Sequence, residues 1–93
     1  MAQTAMMVLK IMPESVEVDL NELKEKVNES IIEIYGDVGE IQTEEEPIAF
    51  GLKALKFTFI MDESKGGDAI ETKLADVEGI ASANVIDFRR TFG

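Results

Sequence analysis

Apolar residues along this chain recur in two rhythms, every second position in some stretches and every third or fourth in others. From Leu55 the odd positions Leu55, Phe57, Phe59 and Met61 are apolar while Lys56 and Thr58 interrupt the other parity, the period-two pattern of a half-buried strand. From Ala5 to Met12 both parities are largely apolar, Met7, Leu9 and Ile11 on one face and Met6, Val8 and Met12 on the other, which predicts an interior strand. After the break at Pro13-Glu14-Ser15, Leu20, Leu23, Val27, Ile31 and Ile34 follow one another at three- and four-residue steps. Glu22, Lys24, Glu25, Lys26 and Glu29 fill the positions between, so the stretch is predicted to be an amphipathic helix of about four turns. Asp19 and Glu22 open it as an acidic capping pair, and Tyr35-Gly36-Asp37 ends it.

Val38, Ile41, Glu40 and the run Glu44, Glu45, Glu46 describe a solvated strand reaching Pro47. Asp62 to Gly67 is a polar connection, and its two adjacent glycines make no phosphate loop. Asp68 and Glu71 repeat the capping pair, and Ile70, Leu74 and Val77 mark a shorter helix predicted to stop at Gly79, a left-handed C-terminal cap. A last strand runs from Ile80 to about Phe88 and leads into Arg89-Arg90. The order β-α-β-β-α-β, with two helices that open alike, predicts two related halves interleaved as a ferredoxin-like α+β sandwich. That fold has a four-stranded antiparallel sheet with both helices on one face. The uncovered face and the ends of the sheet are then where the work is expected.

Composition narrows the chemistry. The 93 residues make one domain with a single core, and the absence of cysteine and histidine removes thiolate and imidazole chemistry and the usual transition-metal ligands. With 19 acidic against 9 basic residues the net charge is −10, which repels phosphate backbones and anionic membranes. Direct nucleic-acid binding and membrane association are therefore not expected. No basic and apolar leader opens the chain and no stretch of about 18 apolar residues spans a bilayer, so a soluble, cytoplasmic protein is expected.

The stretch Glu44 to Phe59 draws the attention. Pro47 fixes a φ angle and Gly51 permits an unusual one, so Ile48-Ala49-Phe50 is held between two backbone constraints before the strongest strand. Phe50 reads either as an exposed docking group or as an anchor folded back onto the core. Glu44, Glu45 and Glu46 offer oxygen ligands to a hard cation, but an edge strand bristling with charge against aggregation explains them as well. Arg89 and Arg90 read as an anion-recognising pair or as local charge balance. The five methionines read as core filling. No catalytic carboxylate pair and no metal or cofactor site is assigned.

The block Pro47-Ile48-Ala49-Phe50-Gly51-Leu52-Lys53-Ala54-Leu55 resembles that of the guanine-nucleotide exchange domain of translation elongation factor one beta. The opening Val8-Leu9-Lys10-Ile11-Met12-Pro13-Glu14-Ser15, then Val18-Asp19-Leu20, Val77-Glu78-Gly79-Ile80 and Asp87-Phe88-Arg89-Arg90 resemble its archaeal form, which consists of this domain alone. The resemblance covers the whole chain and implies the same sandwich fold. It further implies binding to elongation factor one alpha, at its nucleotide-binding and second domains, with disturbance of the magnesium and phosphate region and release of GDP. No bond is made or broken, no cofactor is used, and a monomer is expected in isolation. The contacts it implies are Pro47, Ile48, Phe50, Gly51 and Lys53, with Phe50 packed on the nucleotide-binding domain, and Phe88, Arg89, Arg90 and Phe92 in a tail beside the magnesium site. Here the chain departs from eukaryotic relatives, which place a lysine next to last; no lysine follows Lys73. Either an arginine supplies that cation or magnesium is displaced indirectly.

Three other readings compete. A small-molecule regulatory domain of the same fold needs a glycine-rich turn after the first strand, and Pro13 to Val18 contains no glycine. An acylphosphatase-like enzyme needs an arginine in that turn, which is also missing. RNA binding by the open sheet needs exposed aromatics on a basic platform, and the charge opposes it.

Overall fold

Strand β1 (Thr4–Pro13) alternates strictly between half-buried and buried residues, with Ala5, Met7, Leu9 and Ile11 fully buried on one face. In this computed structural model, which describes residues 4–36, 38–62 and 65–91, the elements following it are α1 (Leu20–Tyr35), β2 (Gln42–Pro47), β3 (Lys53–Asp62), α2 (Asp68–Ala75) and β4 (Ile80–Thr91). The sheet order is β2-β3-β1-β4, and every neighbouring pair is antiparallel. This is the β-α-β-β-α-β sandwich predicted from the periodicities, with β1 and β3 interior and β2 and β4 at the edges.

One core explains the order. The odd residues of β1 and β3, including Phe57, Phe59 and Met61, meet Leu23, Val27 and Ile31 of α1 and Ile70 and Leu74 of α2 in a single buried cluster. Each such side chain contributes about 1.5–3 kcal/mol when fully removed from water. Leu20 and Ile34, on the predicted stripe of α1, pack at the margin of that cluster. The carboxylate of Asp19 accepts hydrogen bonds from the Asn21 and Glu22 amides at 2.9 and 3.4 Å and so satisfies two of the helix's free N-terminal donors. Gly36, with φ 77°, closes the other end by donating its N–H to the Ile32 carbonyl at 2.8 Å. Asp37, expected in that stop, lies outside the described residues, as do Glu63 and Ser64 of the connection before α2.

Four predicted boundaries differ. The second strand begins at Gln42 rather than Val38, because Val38 and Ile41 lie against the core as a partly buried connection. Helix α2 ends at Ala75 rather than Gly79. There Asp76 and Val77 donate to the Lys73 and Leu74 carbonyls in tighter turns, and Gly79, at φ 96°, belongs to the turn into β4. Its N-terminal cap is Gly67 with no side-chain hydrogen bond, so the Asp68–Glu71 pair does not act as a capping pair. The last strand runs on to Thr91 and takes in both arginines.

Tyr35 ties α1 to the segment before α2. Its ring packs at 44° on Phe59 with centroids 5.7 Å apart, and its hydroxyl donates to the Gly66 carbonyl at 2.6 Å. Burial, then the nearby charges of Glu71 and Asp68, push its pKa up to about 12. The folded value lies above the unfolded value of about 10, so this contribution to stability is present below pH 10 and is lost as pH rises from 10 to 12. The chain has one tyrosine and no tryptophan, so tyrosinate absorbance reports this group alone. Ionisation is expected well above pH 10 and together with loss of the fold. A midpoint near pH 10 with circular dichroism unchanged would refute the buried hydroxyl.

Candidate functional site

The Phe50 side chain is 95% exposed, the most exposed of the large apolar residues described. It occupies the turn Ala49–Gly51 that joins β2 to β3, where Pro47 pairs with Lys53 in the last step of the ladder. The Ile48 N–H donates to the Leu52 carbonyl at 2.8 Å and the Leu52 N–H to the Ala49 carbonyl at 3.2 Å. Phe50 and Gly51 therefore form the two central residues of a tight hairpin turn, with φ of 60° and 78°. Two positive φ angles match the twist of the flanking strands, which is why Asn-Gly usually occupies such turns. An aromatic in the first position costs about 1–2 kcal/mol in backbone strain, and here no burial offsets that cost. The core-anchor alternative is excluded, because Phe50 points into solvent.

The loop between β1 and α1 supports this turn. Val16, 62% exposed, stands beside Gly51, where an added Cβ would lie 3.6 Å from its Cγ1. A cleft of about 220 Å³ separates the two loops, lined by Pro13, Ser15, Val16, Val18, Leu20, Gly51 and Lys53. Val16 is a neighbour of the candidate turn that the hydropathy pattern does not single out. Its one signal is an isolated apolar residue between Glu14 and Glu17 in a segment that is otherwise polar.

The acidic run divides between the two faces and is held by lysines. Glu45 reaches Lys24 of α1 at 3.1 Å and Lys53 at 3.8 Å, bracing the base of the hairpin. Glu46 pairs with Lys56 on the open face at 2.9 Å. The hydrogen bond from Lys56, its charge and that of Lys10 hold the Glu46 carboxyl below the usual carboxylate range. Among the described residues no three carboxylates gather to hold a metal ion.

The arginines lie elsewhere. Arg89 pairs with Met6 and Arg90 with Ala5, seven and eight residue steps from Pro13 at the other end of β1 and so roughly 23–26 Å along the strand. The predicted site residues thus fall into two groups at opposite ends of the sheet, with Pro47, Ile48, Phe50, Gly51 and Lys53 at one and Phe88, Arg89 and Arg90 at the other. Phe92 lies outside the described residues. A register shift places Val8 opposite Asp87 but Leu9 opposite Val85, so Ile86 is an extra residue in β4, a β-bulge. Beyond it Phe88 and Arg90 share a face with Met7 and Ala5, the helix side, and Arg89 lies on the open face with its Nε 3.1 Å from Asp87. Strict alternation along β4 would put Ile86, Phe88 and Arg90 on one face; that row is broken, because Ile86 has no partner in the pairing. The Val85 N–H is directed instead at the Glu71 carboxylate of α2, at 2.8 Å.

The chain is thus an α+β sandwich that holds an aromatic in a strained, solvent-facing turn at one end of its sheet. Its family is settled by comparison: residues 6–91 match the EF-1 guanine nucleotide exchange domain, and the chain belongs to that family. It is 45% identical over 86 residues to "Elongation factor 1-beta" of Methanosarcina barkeri, covering 88% of this chain and 91% of the relative. The protein of the same name from Staphylothermus marinus is 40% identical over 82 residues, covering 86% and 88%. Among the described residues no helix is long and apolar enough to cross a membrane.

Proposed function

We infer that the whole chain is one exchange domain that promotes GDP release and GTP reloading on translation elongation factor one alpha, and that the Phe50 turn is its principal anchor on that GTPase. The observation that carries the anchor assignment is the left-handed, 95% exposed phenylalanine. The mechanism is competitive linkage. A partner that binds the nucleotide-free GTPase better than the filled one weakens nucleotide by the same factor. No covalent step is required, so the protein is an exchange factor rather than an enzyme, working in the cytoplasm. Its charge of −10 favours encounter with a basic partner. The family assignment does not favour the small-molecule regulatory reading.

The separation of the two contact groups adds a constraint. If Phe88, Arg89 and Arg90 approach the magnesium site, Phe50 stands roughly 25 Å or more from it and engages a second patch of the partner. The test is to load the GTPase with fluorescent GDP, add this protein with excess unlabelled nucleotide, and follow release. No acceleration at micromolar concentration would remove the assignment.

The arginines give a second measurable outcome. They point to opposite faces, and Arg90 shares its face with the exposed Phe88. Arg90→Gln is expected to lower exchange roughly fivefold at low salt, and Arg89→Gln less, with both losses shrinking as magnesium or salt is raised. Equal and negligible effects, with truncation after Phe88 also harmless, would take the tail out of the mechanism and leave exchange to Phe50 and its turn.

A further inference from the structure

We propose that Glu71 is a positioning residue for exchange: by holding the Val85 N–H at the bulge, it fixes which faces Phe88 and Arg90 present. The proposal rests on the reading of the tail as a partner contact. A strand has a side-chain period of two, so one inserted residue reverses the faces of everything beyond it. With the bulge at Ile86, Met7 lies opposite Phe88 and Ala5 opposite Arg90. Without it, and with Val85 still opposite Leu9, Asp87 moves opposite Met7 and Arg89 opposite Ala5. The two arginines then exchange faces, and a carboxylate replaces an aromatic beside the buried Met7. The two registers differ only in where one residue is accommodated, so a contact at the bulge decides between them.

Glu71 is placed to make that decision. It sits one turn into α2, whose buried residues Ile70 and Leu74 anchor the helix to the core. Its carboxylate Oε2 lies 2.8 Å from the Val85 nitrogen, in a partly buried setting, at the residue before the register shift. The N–H has one hydrogen, and it is given to the helix. Gly67, the cap residue of α2, has no room for a Cβ, which would meet Val85 Cγ2 at 2.8 Å, so the start of the helix also lies close against the Val85 side chain.

The test uses the register itself as well as exchange. Glu71→Ala is expected to speed hydrogen exchange of the Val85 amide roughly tenfold, to weaken the cross-strand NMR contacts between Met7 and Phe88, and to lower GDP release several-fold. Glu71→Gln keeps an acceptor oxygen and is expected to restore most of both. Deleting Ile86 supplies the decisive arm, because it preserves the pairs Met7 with Phe88 and Ala5 with Arg90 without a bulge between Val8 and Leu9. Glu71→Ala in that background should leave register and exchange unchanged. If Glu71→Ala unfolds the protein, the glutamine variant and the deletion background still decide. An unaltered Val85 amide and Met7–Phe88 contact in Glu71→Ala would overturn the proposal. Equal losses of exchange with and without Ile86 would also overturn it. If the register shifts as expected while neutralising the arginines has no effect on exchange, the reading of the tail fails and the role of Glu71 in register stands.

Discussion

Replacing Phe50 by asparagine is expected to raise the stability of the domain while removing most of its exchange activity. Phe50 is 95% exposed, so no buried area is lost, and its φ of 60° is one that asparagine adopts far more readily. The turn becomes Asn-Gly, the pair that suits two positive φ angles, and relief of about 1 kcal/mol of strain should raise the melting temperature by roughly 4–8 °C. GDP release should meanwhile fall about thirtyfold, because truncating an aromatic hot spot costs about 2 kcal/mol or more. Phe50→Ala separates the two effects. Alanine keeps the strained backbone, so stability should barely change, and exchange should fall as far as with asparagine. A melting temperature that drops sharply in either variant would mean that Phe50 is structural, and undiminished release in both would remove it from the interface.

How far this was legible in the sequence follows from the range of the interactions concerned. Alternation at Leu55, Phe57, Phe59 and Met61 and the stripe from Leu20 to Ile34 are local patterns set by one core, and both elements formed where they were expected. The orientation of Phe50 was not legible. Pro47 and Gly51 announce a constrained turn, but φ at Phe50 is set by the twist that β2 and β3 impose together. The end of β4 was misplaced because the bulge at Ile86 interrupts its alternation, and a strand whose period breaks resembles a tail. Glu71 was read as half of a capping pair because Asp68 stands three residues before it, whereas its partner is 14 positions away in sequence. The same holds for the site as a whole. Nearness in a family pattern carried no information that Phe50 and Arg90 lie at opposite ends of the sheet, which only the register of β1 with β3 and β4 reveals.

Seven positions beyond Phe50, the same truncation should have the opposite outcome. Phe57 is fully buried, paired across the sheet with Leu9 on one side and Thr43 on the other, and among the largest side chains in the core. Phe57→Ala is expected to cost about 3–5 kcal/mol, through lost burial and the cavity left under α1. A domain of this size holds roughly 5–14 kcal/mol in total, so the variant keeps only a part of its stability and should melt at least 12 °C lower, at roughly 4 °C or more per kcal/mol. Well below that transition, release of GDP per folded molecule should match the parent within about twofold, since no atom of Phe57 reaches the surface. The informative result is the comparison with Phe50→Ala, measured by thermal unfolding and fluorescent GDP release on the same preparations. If Phe57→Ala lost exchange in proportion to Phe50→Ala while still fully folded, the hairpin would be transmitting core packing to its tip. A rigid anchor standing apart from the core would then be the wrong description of the site.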